Sequence, residues 1–216
     1  MKLVKNGTSF EIMPFESHGN EMSGKYDYKS LETRLRTIKT HLANEAESWA
    51  VTGRNPAKSP AIAANLQLQF DQCTNYFGAS PNGVTITLEM EKDNPFVWTL
   101  VYFGKPMTKW DEGVFTVRMI FPDTFPVEQP RVRILTPVFH ANVTSDGVPY
   151  YRVAKPESVE AHIKAVLDIF ETEMKSDPSC VLNRKCAAMY WREGETGRKE
   201  YSKMVRRIVN RSVEYD

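Results

Sequence analysis

The chain has 216 residues, 41% of them apolar, enough to bury the core of one ordinary domain with a remainder of some tens of residues. Its 28 Lys plus Arg nearly cancel 27 Asp plus Glu, so no global field points to nucleic acid or to a membrane surface. Three cysteines, Cys73, Cys180 and Cys186, lack CxxC spacing and accompany only four histidines, which argues against a disulfide framework and against a zinc site.

No run of about 18 apolar residues exists to span a membrane, and MKLVKNGTSF lacks the long apolar stretch of a signal peptide. A reducing intracellular compartment, cytoplasmic or nuclear, is the expectation, and the sequons at Asn6, Asn142 and Asn210 are then chance matches. Nothing in the sequence calls for a cofactor or a metal.

Residues 1–27 show no sustained period and are expected to form a loose arm. From Lys29 to about Val51, Leu31, Leu35, Ile38 and Leu42 recur at helical spacing, with Arg34, Arg36 and Lys39 on other faces; this predicts an amphipathic helix. The linker TGRNPAKSP follows. Ser59-Pro60 suits a helix start, and Ile62, Leu66 and Phe70 carry an apolar stripe to about Tyr76.

The period then changes to two. Val84, Ile86, Leu88 and Met90 alternate with Thr85, Thr87, Glu89 and Glu91, the pattern of a half-buried antiparallel strand. Three more β-rich runs, about 96–103, 114–121 and 131–135, are separated by GKPMTKWDEG and FPDTFPVEQP and complete a meander. Helices are expected again from Glu157 to about Met174, from Arg184 to Trp191, and from about Gly197 onward. The fold class is α+β: a four-stranded antiparallel meander covered by helices, with an extra N-terminal helix. Residues 1–59 form an extension and 60–216 the core domain.

Between the meander and the later helices lies FHANVTSDGVPYYRV, residues 139–153, with a turn signal at Ser145-Asp146-Gly147. Trp98, Gly104, Gly113, Phe115, Phe121-Pro122, Phe125-Pro126, Pro130, His140 and Asn142 keep a joint register that resembles the core of ubiquitin-conjugating enzymes, whose landmarks are W, G, GxF, FPxxYPFxPP and HPN. DPSCVLNRKCAAMYW, 177–191, is similar to that family's DPLNPEAAxLY segment. The resemblance covers about residues 60–212, and 1–59 lie outside it.

The resemblance implies a cysteine eight residues after the asparagine, accepting ubiquitin as a thioester, and an asparagine that stabilises the oxyanion formed on lysine attack. Eight residues after Asn142 stands Tyr150. A phenol is nearly all protonated at neutral pH, and GVPYYR supplies no obvious base for it, so it is no substitute for a thiolate. Pro149-Tyr150-Tyr151 stands where the family has Ile-Cys-Leu, and YRVAKPES is about one residue short of its counterpart. His140, Asn142 and Tyr150 thus mark a vestigial site, with His140 structural rather than a base and Ala141 replacing the family's proline.

Among the cysteines Cys180 is the best candidate for a displaced nucleophile, because a loop thiol is more accessible; yet the 157–174 helix, roughly 25 Å long, is expected to carry it away from His140. Cys73 reads as a small buried apolar residue.

The resemblance also implies activating-enzyme docking on basic residues of the first core helix, but Ala61–Tyr76 has no Lys or Arg. If the 29–51 helix were instead the family's first helix, with 52–80 inserted, its basic residues would restore that docking. The loops implied to face ligases correspond to Phe125, Val127 and Pro130 and, loosely, to Ser158 and Val159, with Val127 replacing a large anchor. The basic residues of the last helix, from Lys199 to Arg211, read as a solvated face.

The leading expectation is a catalytically inactive conjugating-enzyme variant that binds ubiquitin, a ubiquitin-like protein, or a partner conjugating enzyme or ligase. The rivals are an active enzyme using a displaced Cys180, and a scaffold without ubiquitin contact.

Overall fold

The computed structural model describes residues 2–6, 9–13, 59–78, 86–92, 94–192 and 195–214. The expected helix over 29–51 lies outside these residues, as do Val84 and Thr85 at the start of the first meander strand. The N-terminal segment is not a loose arm throughout: β1 (Lys2–Asn6) and β2 (Ser9–Met13) pair antiparallel, with Asn6 opposite Ser9 and Leu3 opposite Ile12. The signal was local and short. With Asn6 opposite Ser9, the two positions between the β-prone runs are Gly7 and Thr8, and a Gly-X dipeptide there is a hairpin pattern that a search for sustained periodicity passes over.

The core domain opens with α1 (Pro60–Gly78). Its backbone is hydrogen-bonded from the first turn, Ala63 N–H to the Ser59 carbonyl at 2.9 Å, and it buries Leu66, Cys73 and Phe77 along one face. Strands β3 (Ile86–Glu91), β4 (Asn94–Phe103), β5 (Val114–Ile120) and β6 (Arg131–Ile134) follow in spatial order β3-β4-β5-β6, all neighbours antiparallel. Sequential order equals spatial order, the meander that short connections favour.

One face of the meander meets the helices. Trp98, Leu100 and Tyr102 of β4, with Phe115, Val117 and Met119 of β5, form the core together with residues of α1, α2 (Val159–Glu171) and α4 (Glu195–Glu214). Aromatic pairs set the spacing of the layers. Phe170 of α2 stacks on Tyr102 at 4.9 Å and lies 4.9 Å from Phe115, while Trp98 sits between Phe70 and Phe121, 5.0 Å from each. Each such burial contributes about 1.5–3 kcal/mol, and the edge-to-face and stacked geometries add a fraction more.

Helix boundaries decide where the chain goes next. Ser158 caps α2 by accepting the Ala161 N–H at 3.2 Å, so the helix begins at Val159 rather than Glu157. At the other end Thr172 is extended, and its N–H and hydroxyl both donate to the Asp168 carbonyl. The helix stops there, short of Met174, and residues 172–183 turn back toward the meander. Asn183 then caps α3 (Arg184–Tyr190) by accepting the Cys186 N–H at 3.0 Å.

Trp98→Ala removes a fully buried indole that also donates to the Pro95 carbonyl at 2.8 Å. It should lower unfolding free energy by about 3–5 kcal/mol in urea denaturation, enough to unfold a marginal domain.

Candidate functional site

After β6 the chain reverses in a tight loop that sets His140, Asn142 and Tyr150. Val143 bridges Pro149, Thr144 N–H reaches the Val148 carbonyl at 2.9 Å, and Gly147 N–H reaches the Thr144 carbonyl at 3.1 Å. Gly147 has φ +89, and a Cβ there would lie 2.1 Å from the Ile134 carbonyl oxygen. Only glycine fits that approach, and it lets Ile134 N–H bond the Gly147 carbonyl at 2.8 Å, tying the loop to β6. The reversal returns the backbone to its start: Tyr150 N–H donates to the Asn142 carbonyl at 2.8 Å. Position 150 therefore faces Asn142, half-buried, with the Arg152 guanidinium 5.5 Å from its ring centroid.

The Asn142 carboxamide is fully engaged. Its Nδ2 donates to the carbonyls of Lys175 at 2.8 Å and Cys180 at 2.9 Å, and its Oδ1 accepts the Lys175 N–H at 2.8 Å. The Ala141 carbonyl accepts from both Leu182 N–H and Asn183 N–H, and Ala141 N–H points to Met174 Sδ at 3.4 Å. Residues 174–183 are thus clamped onto 141–142. The expectation that the helix carries Cys180 away is overturned, because the chain breaks at Thr172 and doubles back.

His140 is buried beside Trp110, ring centroids 6.4 Å apart. Its Nδ1 accepts the Asn142 N–H at 3.1 Å, which leaves the proton of the neutral ring on Nε2. Burial, with the Lys109 ammonium nearby, holds the imidazole at about 4. Neutral at physiological pH, it orders the turn. Trp110 is itself pinned: Gly113 N–H bonds its carbonyl at 2.9 Å, and a Cβ on Gly104 would lie 1.7 Å from that same oxygen.

All three thiols of the chain are buried: Cys73, Cys180 and Cys186 expose 3%, 7% and 0% of their surfaces. Burial pushes Cys73 and Cys186 up to about 12, so neither supplies thiolate at neutral pH. Cys180 is next to Asn142 through its carbonyl, but the accessible loop thiol expected from sequence is not found there.

The residues expected to meet partners separate into two groups. Phe125 packs against Phe121 at 5.3 Å, Pro130 and Val159 are buried, and Ser158 is the cap of α2; these hold the fold and present little surface. Val127 alone is broadly exposed, at 89%. Sequence reading also missed His162 on α2, fully buried between Phe125 and Tyr151, whose Nε2 bonds the Pro156 carbonyl at 2.9 Å. Its placement one helical turn before Val166 on the buried stripe was the available signal. Among the described residues no cluster of three or more His, Cys, Asp and Glu could hold a metal, and no helix is long and apolar enough to cross a membrane.

A four-stranded meander with one helix-covered face, followed by a clamped His-x-Asn turn, defines a conjugating-enzyme core. The family model described as ubiquitin-conjugating enzyme matches residues 66–209, and the chain belongs to that family. It is 28% identical over 132 residues to "Ubiquitin-conjugating enzyme E2 1" of Caenorhabditis elegans, covering 56% of this chain and 62% of that relative. It is 27% identical over 143 residues to "Ubiquitin-conjugating enzyme E2 14" of Arabidopsis thaliana, covering 58% and 81%. Over a shorter stretch of 62 residues it is 40% identical to "Ubiquitin-conjugating enzyme E2 T" of Mus musculus, covering 29% and 30%. The match thus spans less than two thirds of the nematode relative's length.

Asn142→Ala should release the 174–183 segment. Stability should fall by about 2–4 kcal/mol, since the Lys175 N–H and two carbonyls lose their partner, and hydrogen exchange should show the Lys175 amide opening faster. A second expectation concerns pH. The folded state holds His140 at about 4 against 6.5 ordinarily, so between those values the unfolded chain binds more protons. The stability from neutral His140 is complete above 6.5 and is lost as pH falls toward 4, about 3 kcal/mol in all. His140→Gln should flatten that part of a pH series of urea midpoints relative to the parent protein.

Proposed function

We propose that this chain is a catalytically inactive ubiquitin-conjugating-enzyme variant that binds ubiquitin, a ubiquitin-like protein or a partner of the conjugation pathway and acts by positioning it. The carrying observation is the burial of every thiol in the chain. A thioester carrier must expose a partly ionised sulfur to the activating enzyme and then to an amine. Here the residue that faces Asn142 is Tyr150, whose phenol does not perform that exchange, and Asn142 Nδ2 is already spent on two backbone carbonyls.

Two surface features support the same reading. The outer face of α1 carries Leu68, Gln72 and Tyr76 but no basic residue with which to attract an activating enzyme. Val127, on the loop where the family resemblance implies a large ligase-facing anchor, offers only a small apolar contact. Residues 60–216 are the unit that would bind, with 1–59 as an extension.

The second reading, an active enzyme charged at a displaced Cys180, draws on one observation: the Cys180 carbonyl lies 2.9 Å from Asn142 Nδ2. Incubation with activating enzyme, ATP and ubiquitin separates the two. The expected outcome is no reductant-sensitive adduct on denaturing gels; an adduct that disappears in Cys180→Ser would replace the first reading with the second. Titration of labelled ubiquitin should then give localised NMR shifts in the millimolar range. A flat titration there would leave the fold as a scaffold without ubiquitin contact.

A further inference from the structure

A second cluster of side chains gathers where the 104–113 loop meets the helices. Tyr190 ends α3, Tyr201 lies on α4, Glu173 follows α2, and Lys109 comes from the loop between β4 and β5. The Tyr190 and Tyr201 rings stand nearly perpendicular, at 80° with their centroids 4.9 Å apart, and form a corner. The Lys109 ammonium faces both, 4.8 Å from the Tyr190 centroid and 5.3 Å from that of Tyr201. The same nitrogen lies 3.5 Å from the Tyr190 hydroxyl, which donates onward to the Glu173 carboxylate. Lys164 lies over the Tyr76 ring and Arg152 over the Tyr150 ring, but Lys109 has two rings and, through the phenol, a carboxylate. Ring faces carry partial negative charge, and a corner of rings is a setting in which proteins hold alkylammonium groups.

The corner does not depend on the lysine. Tyr201 exposes 1% of its surface and has Phe139 behind it at 6.2 Å. Burial and the hydrogen-bonded Glu173 carboxylate push the Tyr190 phenol up to about 12, so it keeps its proton at neutral pH. The loop that carries Lys109 closes through other groups: Gly104 N–H reaches the Gly113 carbonyl at 2.8 Å, Thr108 Oγ1 donates to the Lys105 carbonyl at 2.7 Å, and Met107 N–H donates to Asp111 Oδ2 at 3.1 Å. The Lys109 side chain is exposed and enters none of these bonds, so it can leave the corner with the loop intact. We propose that the corner of Tyr190, Tyr201 and Glu173 is a binding site for the side-chain ammonium of a lysine on a partner protein, with Lys109 as its resident competitor. The resident shows which chemistry fits: a primary ammonium on an alkyl stem, two ring faces for its charge and a phenol oxygen to accept from it. A tethered occupant acts at an effective concentration in the millimolar range, so a partner's lysine enters by displacing Lys109 into solvent.

Titration of the full chain, its tyrosine rings isotope-labelled, with Nα-acetyl-lysine amide tests this by NMR. In Lys109→Ala the Tyr190 and Tyr201 ring signals should shift with the ligand and saturate at about tenfold lower concentration than in the parent protein, the factor that a cation over two exposed ring faces supplies. Lys109→Gln, which keeps a polar side chain on the loop, should behave alike, and adding Glu173→Gln should reverse part of the gain. The apolar analogue Nα-acetyl-norleucine amide should move neither ring. The proposal is overturned if the lysine amide binds both Lys109 variants no more tightly than the parent, or if the norleucine amide binds them equally well. Ring signals that stay fixed in both variants would reduce Lys109 to a structural latch and overturn it too.

Discussion

One side-chain amide joins the two halves of the core domain. Asn142 sits where the meander ends, and its Nδ2 and Oδ1 hold the backbone of Lys175 and Cys180, which lie beyond a whole helix in sequence. A buried carboxamide costs stability unless satisfied, and here the chain that satisfies it must return to one position. The caps of α2 and α3 are set accordingly: Thr172 breaks one helix and Asn183 begins the next, so that the intervening residues reach residues 141–142. The 140–150 loop and the 174–183 segment are in this sense one structure.

This coupling changes how the site reads chemically. In a catalytic role Asn142 would need Nδ2 free to meet a developing negative charge. Here both its hydrogen-bonding directions serve the backbone, His140 is neutral and hydrogen-bonded within its own turn, and Tyr150 closes the loop through its N–H. Cysteine burial follows from the same economy: Cys73 and Cys186 fill core positions as small apolar groups, and burial raises their pKa as it excludes solvent.

The meander carries a further constraint, burial on both faces. The aromatic face is served by helices of the core domain, and on the other face Val97, Val101 and Ile120 are buried as well. A domain of this size gains from a second covered face, since a small single-cored domain is only marginally stable.

Period and landmark spacing were enough to read the four strands, the order of the core helices and the place of the His140–Asn142 turn, because strand alternation and helix stripes are imposed locally by which face must be buried. The same local logic covered the Gly147 turn. It missed the short β1–β2 hairpin, whose signal is a dipeptide rather than a period, and the ends of α2, which are decided by caps. What only the tertiary structure decided is long-range: that Cys180 returns to Asn142, that Cys180 and Cys186 are buried along with the expected Cys73, and that Phe125, Pro130 and Val159 are buried. Those facts depend on which distant segment supplies a hydrogen-bond partner or a packing neighbour, and no window of sequence contains both partners.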